Sequence, residues 1–354
     1  MNNNNVLQQG QLDLPKSRVL VTGGAGFIGS HLTFWLLSQG YHVTILDDLS
    51  GGFERNTHME GDVVRVKASV TCADDVEETF KQGKFDYVFH LAAYAAEGLS
   101  HFIRNFNYTN NLIGTTNIVN ACVNYKVKHL TFTSSIAVYG DEYDGKWATE
   151  NSPCHPIDPY GVAKLACEHD IISAGHYFGL NYTIFRLHNV YGTRQNIGDP
   201  YRNVIGIFMN QLLKGQPMTI IGDGQQHRSF TYVHSIVPTM AKAPITPEVW
   251  GEVYNLGSDV AYTIKHVSQL VAAAMKRPPN VIHVDDRQES RGIMIDHSKI
   301  RAMARVFDTP LARGLEQMAE WVLTHGPQQG QPFGPMEIRE DLPTFWRHIV
   351  NQET

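Results

Sequence analysis

Three glycines spaced three apart, in Val21-Thr-Gly-Gly-Ala-Gly-Phe-Ile-Gly29, constrain this chain more than any other feature. A short apolar run, Arg18-Val-Leu-Val-Thr22, precedes them, and an apolar stretch at helical spacing begins near Phe27. Gly23 lets the chain turn sharply, Gly26 lets backbone N–H groups approach an anion, and Gly29 lets helix pack close to strand. The glycines alone would fit an ordinary turn. What distinguishes them is the strand before, the helix after, and the next apolar run ending in an acidic residue, Asp47. That combination implies a bound dinucleotide, its pyrophosphate at the helix N-terminus, where backbone donors and the helix dipole favour negative charge. Asp47 would accept from the ribose hydroxyls and repel a 2′-phosphate, which favours NAD over NADP. A turn cap is the plainer role for Asp47, and equally for Asp48.

From residue 18 to about 190, strands and helices alternate. Strands are expected at 41–47, 63–67, 85–91, 128–134 and 182–187, with helices at 74–82, 104–125 and 160–177. This rhythm predicts an α/β fold: a doubly wound parallel Rossmann sheet with right-handed crossovers and ligands at the carboxyl ends of its strands. Beyond 190 the rhythm loosens, and a smaller mixed α/β substrate-binding domain is expected. Its helices are placed near 203–213, 265–275 and 311–323. The expected division is a disordered tail at 1–16, the Rossmann domain at 17–190, the second domain at 191–330 with segments free to return to the first, and an extended C-terminal tail at 331–354.

Composition narrows the class. With 42% hydrophobic and 18% charged residues, the chain reads as a soluble globular protein. A net charge of −6 without a long basic run gives no sign of nucleic acid or an acidic membrane as partner. Four cysteines without a C-x-x-C pair read as free thiols in a reducing compartment. The polar start lacks a signal-peptide core, and no apolar run approaches a membrane span, so the expected location is cytoplasmic. The two Asn-Tyr-Thr triplets at Asn107 and Asn181 then read as accidental sequons. The 17 histidines include no H-x-x-x-H or H-E-x-x-H pair, and Cys167, Glu168 and His169 are consecutive, so they diverge on a helix. No metal site is expected.

Tyr160-Gly-Val-Ala-Lys164 places a phenol and an ammonium on one helix face. A free tyrosine, with a pKa of about 10, is a poor base at neutral pH. A nearby lysine and the positive ring of an oxidised nicotinamide would both favour the phenolate. Y-x-x-x-K by itself is a common helix-surface pattern. Here it follows a dinucleotide loop and the strand end Thr133-Ser-Ser135, whose Ser135 can share a hydrogen bond with a substrate hydroxyl that Tyr160 deprotonates.

With these residues in place, the chain resembles the extended short-chain dehydrogenases/reductases. Its pattern is most similar to the NAD-dependent nucleotide-sugar epimerase/dehydratase group typified by UDP-glucose 4-epimerase. The matching stretches are 21–30, 90–93, 133–140, 160–164, 189–192, 222–233 and 254–257, in the family's order. The resemblance implies that Gly23, Gly26, Phe27, Ile28, Gly29 and Asp47 hold the adenosine diphosphate half of NAD. Ser69 and Val70 would stand at the adenine, and Ala92, Ala93, Asn110, Tyr160 and Lys164 would line the nicotinamide half. Ser135, Tyr160 and Lys164 would be catalytic. Asn189, Asn203, Arg228 and Arg287 would grip the diphosphate and base of a nucleotide sugar, with Arg291 competing for the role of Arg287. Guanidinium groups suit diphosphate oxygens through paired donors.

The chain departs from the family in having Ser69 for an Asp near the adenine amino group, Ser229 for an Asp after the arginine, and His234-Ser235 for an acidic pair. The stretch 94–104, where the family contacts the sugar, is unusual. The reading is a redox-neutral C4 epimerase of a UDP-hexose or uronate. A 4,6-dehydratase or decarboxylase is the second reading; its relatives carry acidic residues where Ile136 and Ala137 stand. A catalytically silent NAD-binding scaffold is the third. The helices at 104–125 and 160–177 resemble those that pair in the family's homodimers.

Overall fold

The computed structural model describes residues 17–141, 147–284, 292–303, 308–330, 333–334, 336–343 and 346. The leader at 1–16, Arg287 and Arg291 lie outside the described residues. The centre is a seven-stranded sheet formed by β1 (Arg18–Thr22), β2 (His42–Asp47), β3 (Val63–Lys67), β4 (Tyr87–His90), β5 (His129–Ser135), β6 (Tyr182–Leu187) and β7 (Glu252–Leu256). Its order is β7-β6-β5-β4-β1-β2-β3, and every neighbouring pair is parallel. Val19, Leu20 and Val21 are wholly buried, as expected of a strand covered on both faces.

Two cores cover those faces. On one, Leu32 and Leu36 of helix α1 (Phe27–Ser38) meet Val233, Ile236 and Met240 of the helix Val233–Lys242. On the other, the helices Ala73–Gly83, Gly114–Asn124 and α2 (Pro159–Phe178) bury Phe80, Ile118, Cys167 and Ile171. The chain therefore does not divide cleanly at 190: β7 and the helix Val233–Lys242 return to the first layer system. A third core, around Phe208, Met209, Val271 and Leu315, belongs to the second unit.

The strand order reverses between β1 and β4. That crevice is where doubly wound sheets take their ligands, and it is flanked by the glycine loop after β1 and by Ala92-Ala93 after β4.

Helix α2 begins where its capping dictates. Asp158 is the N-cap, accepting from Gly161 N–H at 2.8 Å, and Pro159 occupies the first turn. Tyr160 is thus held in the first turn, and the helix ends at Gly179 in the left-handed region. A buried network fixes α2 to the sheet. Glu168 accepts from Arg186 of β6 (2.7 Å) and from Ser134 of β5 (2.5 Å), and Arg186 donates to the Tyr139 hydroxyl at 2.8 Å. Removing one partner of such a buried pair costs roughly 3–5 kcal/mol, so the helix carrying Tyr160 and Lys164 sits in a stiff frame.

One expectation needs correction. The single helix expected at 104–125 is α-helical at Arg104–Asn107 and Gly114–Asn124, with a π-helical turn at Tyr108–Ile113 between them. The wider turn accompanies tertiary hydrogen bonds: Asn107 donates to Pro159 O (2.9 Å), and Asn111 donates to Asn107 Oδ1 (2.8 Å) and Tyr94 O (3.1 Å). The C-terminal tail, although mostly without regular structure in its described residues, does not stand free. Met336, Leu342 and Trp346 are buried against Ala96, Leu99, Ile103 and Tyr201. No helix among the described residues is long and apolar enough to cross a membrane.

Candidate active site

The glycine loop is a cradle in which a side chain has no room. Gly23 has φ +70°, a conformation that L side chains rarely adopt. A Cβ on Gly29 would lie 2.1 Å from the Gly23 carbonyl oxygen. Gly26 N–H donates to that same carbonyl at 3.0 Å, and Gly26 is the residue before the first turn of α1. Asp47, at the end of β2, has one carboxylate oxygen on Ala25 N–H (2.9 Å) and the other on Leu49 N–H (2.8 Å). Burial raises its pKa, and those amides counter the rise. Its carboxylate thus caps the turn after β2 and ties down the glycine loop, and Asp47 lines the crevice.

A cavity of about 700 Å³ runs from this loop into the second unit. Gly23, Gly26, Phe27, Ile28, Gly29, Asp47 and Val70 line one end, and Ala92, Ala93, Asn110, Ser135, Tyr160 and Lys164 line its middle. Asn189, Asn203 and Arg228 line the far end. Ser69 is the exception: Ala68 and Val70 reach the cavity wall, whereas the Ser69 hydroxyl pairs with Thr71 Oγ1 at 3.0 Å. Asn189 (φ +40°) donates to Ser229 O at 3.0 Å, which ties its loop to the strand bearing Arg228. Asn203 (φ +65°) stands at the start of the helix Val204–Leu213.

At the middle, Ser135 ends β5 and its hydroxyl accepts from Ala137 N–H at 3.1 Å. Burial is the largest influence on Tyr160 and pushes its phenol well above the ordinary tyrosine range. Glu97 adds to the rise, and a hydrogen bond with Ser135 opposes it. Lys164 follows Tyr160 by one turn of the same helix. Its ammonium donates to Thr133 O at 2.8 Å and lies 5.9 Å from the centre of the Tyr160 ring.

Burial also pushes Lys164 down to about 8. The unfolded chain, with an ordinary lysine near about 10.4, then binds more protons between the two values, so stability rises with pH across that window. Relative to Lys164→Met, the parent is expected to gain stability between about pH 7 and about pH 10, by at most on the order of 3 kcal/mol. Urea denaturation of both proteins at the two pH values measures this. A parent–variant gap that does not move would contradict it.

Two cavity residues have no local signal in the sequence. Glu97 and Arg202 both line the cavity and both act on the Tyr160 phenol, in opposite directions. The only hint of Glu97 is the unusual stretch 94–104.

Known proteins with this arrangement are numerous in type but narrow in chemistry. The sequence profile of the family described as NAD dependent epimerase/dehydratase matches residues 19–257. The chain is 32% identical over 315 residues to a putative UDP-glucose 4-epimerase of Methanocaldococcus jannaschii, covering 86% of this chain and 98% of the relative. It is 33% identical to a UDP-N-acetyl-alpha-D-glucosaminuronate decarboxylase of Bacillus cytotoxicus, covering 76% of this chain and 84% of the relative. Among solved structures, a Thermus thermophilus UDP-glucose 4-epimerase in complex with NAD aligns with a TM-score of 0.79 at 31% identity, over 86% of this chain and 98% of that one. The glycine cradle, Asp47 and the Ala92-Ala93 strand end fit that cofactor. This chain belongs to the NAD-dependent epimerase/dehydratase family, and its cofactor is NAD.

Proposed function

We propose that the protein is a nucleotide-sugar 4-epimerase, acting on a UDP-hexose or uronate through a transient 4-keto sugar. The observation that carries this reading is Ser135, Tyr160 and Lys164 gathered at the switch point of the sheet, inside one cavity with the residues expected to grip a diphosphate. Tyr160 takes the proton of the sugar 4-hydroxyl and later returns it, with Ser135 bridging phenol and substrate. When bound, NAD supplies the acceptor and then the donor of the hydride at C4. Burial and Glu97 raise the pKa of the free phenol, and Lys164 together with the positive ring of a bound oxidised nicotinamide would favour the phenolate. Lys164, anchored on Thr133 O, is placed to hold the cofactor's ribose side and to keep positive charge near the reacting groups. Asn189, Asn203 and Arg228 hold the diphosphate while the keto sugar turns over.

Ile136 and Ala137 follow Ser135, and neither side chain can move protons at neighbouring carbons. The dehydratase or decarboxylase reading has one observation in its favour, the Glu97 carboxylate in the cavity. Incubating the protein with UDP-, dTDP-, GDP- and CDP-sugars without added cofactor, followed by NMR, separates the readings. Interconversion of C4 epimers supports the proposal. A deoxy-keto sugar or a pentose product supports the second reading, and no turnover with stoichiometric NAD supports a silent scaffold.

We also propose a homodimer formed through α2 and the helix Gly114–Asn124. Val162 and Ile172 on α2 and Ile113 just before the other helix are exposed apolar side chains of the kind a partner covers. Sedimentation at micromolar concentration is expected to show a dimer, and a monomer alone would refute it.

A further inference from the structure

The described residues between 326 and 346 touch both units of the molecule, and Trp346 lines the cavity. Near its start the segment is joined to the second unit. Asn210 donates to Gln328 O and accepts from Gln328 N–H, each at 2.9 Å. Gly330 lies so close to Gly198 that a Cβ there would meet the Gly198 carbonyl oxygen at 1.9 Å. Further on, it is joined to the edge of the first. The Glu337 carboxylate accepts from the N–H groups of Asn105 (2.6 Å) and Phe106 (2.8 Å), capping the first turn of the helix that leads into the π turn. Glu337 and Ile338 N–H both donate to Phe102 O.

Aromatic contacts fill the space beneath. Phe333 lies 4.8 Å from Phe106 and 5.2 Å from Tyr94, and Trp346 lies 5.3 Å from Tyr201 and 6.0 Å from Phe102, centre to centre. Trp346 is only 1% exposed, and it lines the same cavity as Tyr94, Glu97, Tyr201 and Arg202. This wall adjoins the reacting end: Tyr160 N–H donates to Ser100 Oγ at 3.2 Å, and the neighbouring Leu99 packs in the same cluster as Trp346. The segment lies outside residues 19–257, the part that the family profile matches.

We propose that this C-terminal segment is a strap that completes the sugar subsite, with Trp346 as the residue through which it controls affinity for the sugar moiety. The proposal rests on the nucleotide-sugar reading above. The strap holds 94–106 against the second unit and presents Trp346 to the part of the cavity next to Tyr160. The grip expected on nucleotide and diphosphate is built in part elsewhere, where Asn189 donates to Ser229 O beside Arg228. Loosening the strap should therefore weaken the sugar's contribution to binding and leave the nucleotide's contribution alone.

The experiment is calorimetric titration of UDP, UDP-glucose and UDP-galactose into the NAD-loaded parent, Trp346→Ala and Glu337→Ala, with turnover of the parent measured separately. Glu337→Ala removes only the cap from a surface carboxylate, so it remains informative where Trp346→Ala folds poorly. The parent should bind at least one of the two UDP-sugars more tightly than UDP. Trp346→Ala should lower that preference roughly tenfold, and Glu337→Ala should lower it in the same direction, with UDP affinity held within about twofold. An unchanged ratio of UDP-sugar to UDP affinity in a folded variant overturns the strap, as does a parent that binds neither UDP-sugar more tightly than UDP. A parent that shows the strap-dependent preference yet turns over neither sugar overturns the epimerase reading and leaves the strap standing.

Discussion

Tyr160→Phe is expected to lower C4 interconversion by roughly 10²- to 10⁴-fold, the usual worth of a positioned acid–base group. The substitution removes one hydroxyl and keeps the ring, so the packing of α2 is preserved. The loss to stability should be about 1 kcal/mol, the net value of a buried hydrogen bond such as the one shared with Ser135. Bound NAD should be retained, because the glycine loop, Asp47 and the Ala92-Ala93 wall are untouched. Rate, melting temperature and NAD released on denaturation, measured on one preparation, check all three. A variant within about tenfold of the parent rate would exclude Tyr160 as the group that moves the proton.

The second large effect belongs to the loop itself. Gly29→Ala puts a methyl group 2.1 Å from the Gly23 carbonyl oxygen, and neither a Cβ fixed on its Cα nor a backbone carbonyl can rotate aside. Either the loop or the first turn of α1 must move, at the cost of roughly 1–3 kcal/mol typical of overpacking. The displaced N–H groups are the ones expected to face the pyrophosphate. Cofactor affinity should fall roughly 10- to 100-fold. The purified variant should then carry far less than one NAD per chain, with activity partly restored by added NAD. Full NAD occupancy in the variant would mean that the cofactor does not sit on this loop.

The parts legible in the sequence are those fixed by local rules. A buried strand, a sharp turn and a helix start specify the glycine cradle within about a dozen residues, and the repeating βα rhythm specifies a parallel sheet. Four-residue spacing places Tyr160 and Lys164 on one face. The same spacing does not report that the Lys164 ammonium is anchored on Thr133 O, on a strand some thirty residues earlier. The π turn at 108–113 is invisible for a similar reason: its hydrogen bonds reach Pro159 and Tyr94. Glu97 becomes a cavity residue only when 94–106 folds over the reacting end. The Gln-, Gly- and Pro-rich stretch after 326 carries no periodicity and reads as an extended tail, which says nothing of the packing of Met336, Leu342 and Trp346 on Ala96, Leu99, Ile103 and Tyr201 far upstream. β7 returns to the sheet across a chain separation that no local pattern reports.

The central claim is that hydride leaves and returns to one sugar carbon within a single site holding resident NAD. It is tested most directly by a UDP-hexose deuterated at C4, incubated without added cofactor and followed by NMR. The account predicts that the C4 epimer forms with its deuterium still at C4. Deuterium lost to solvent at C4, or a requirement for added NAD in stoichiometric amounts, would contradict it.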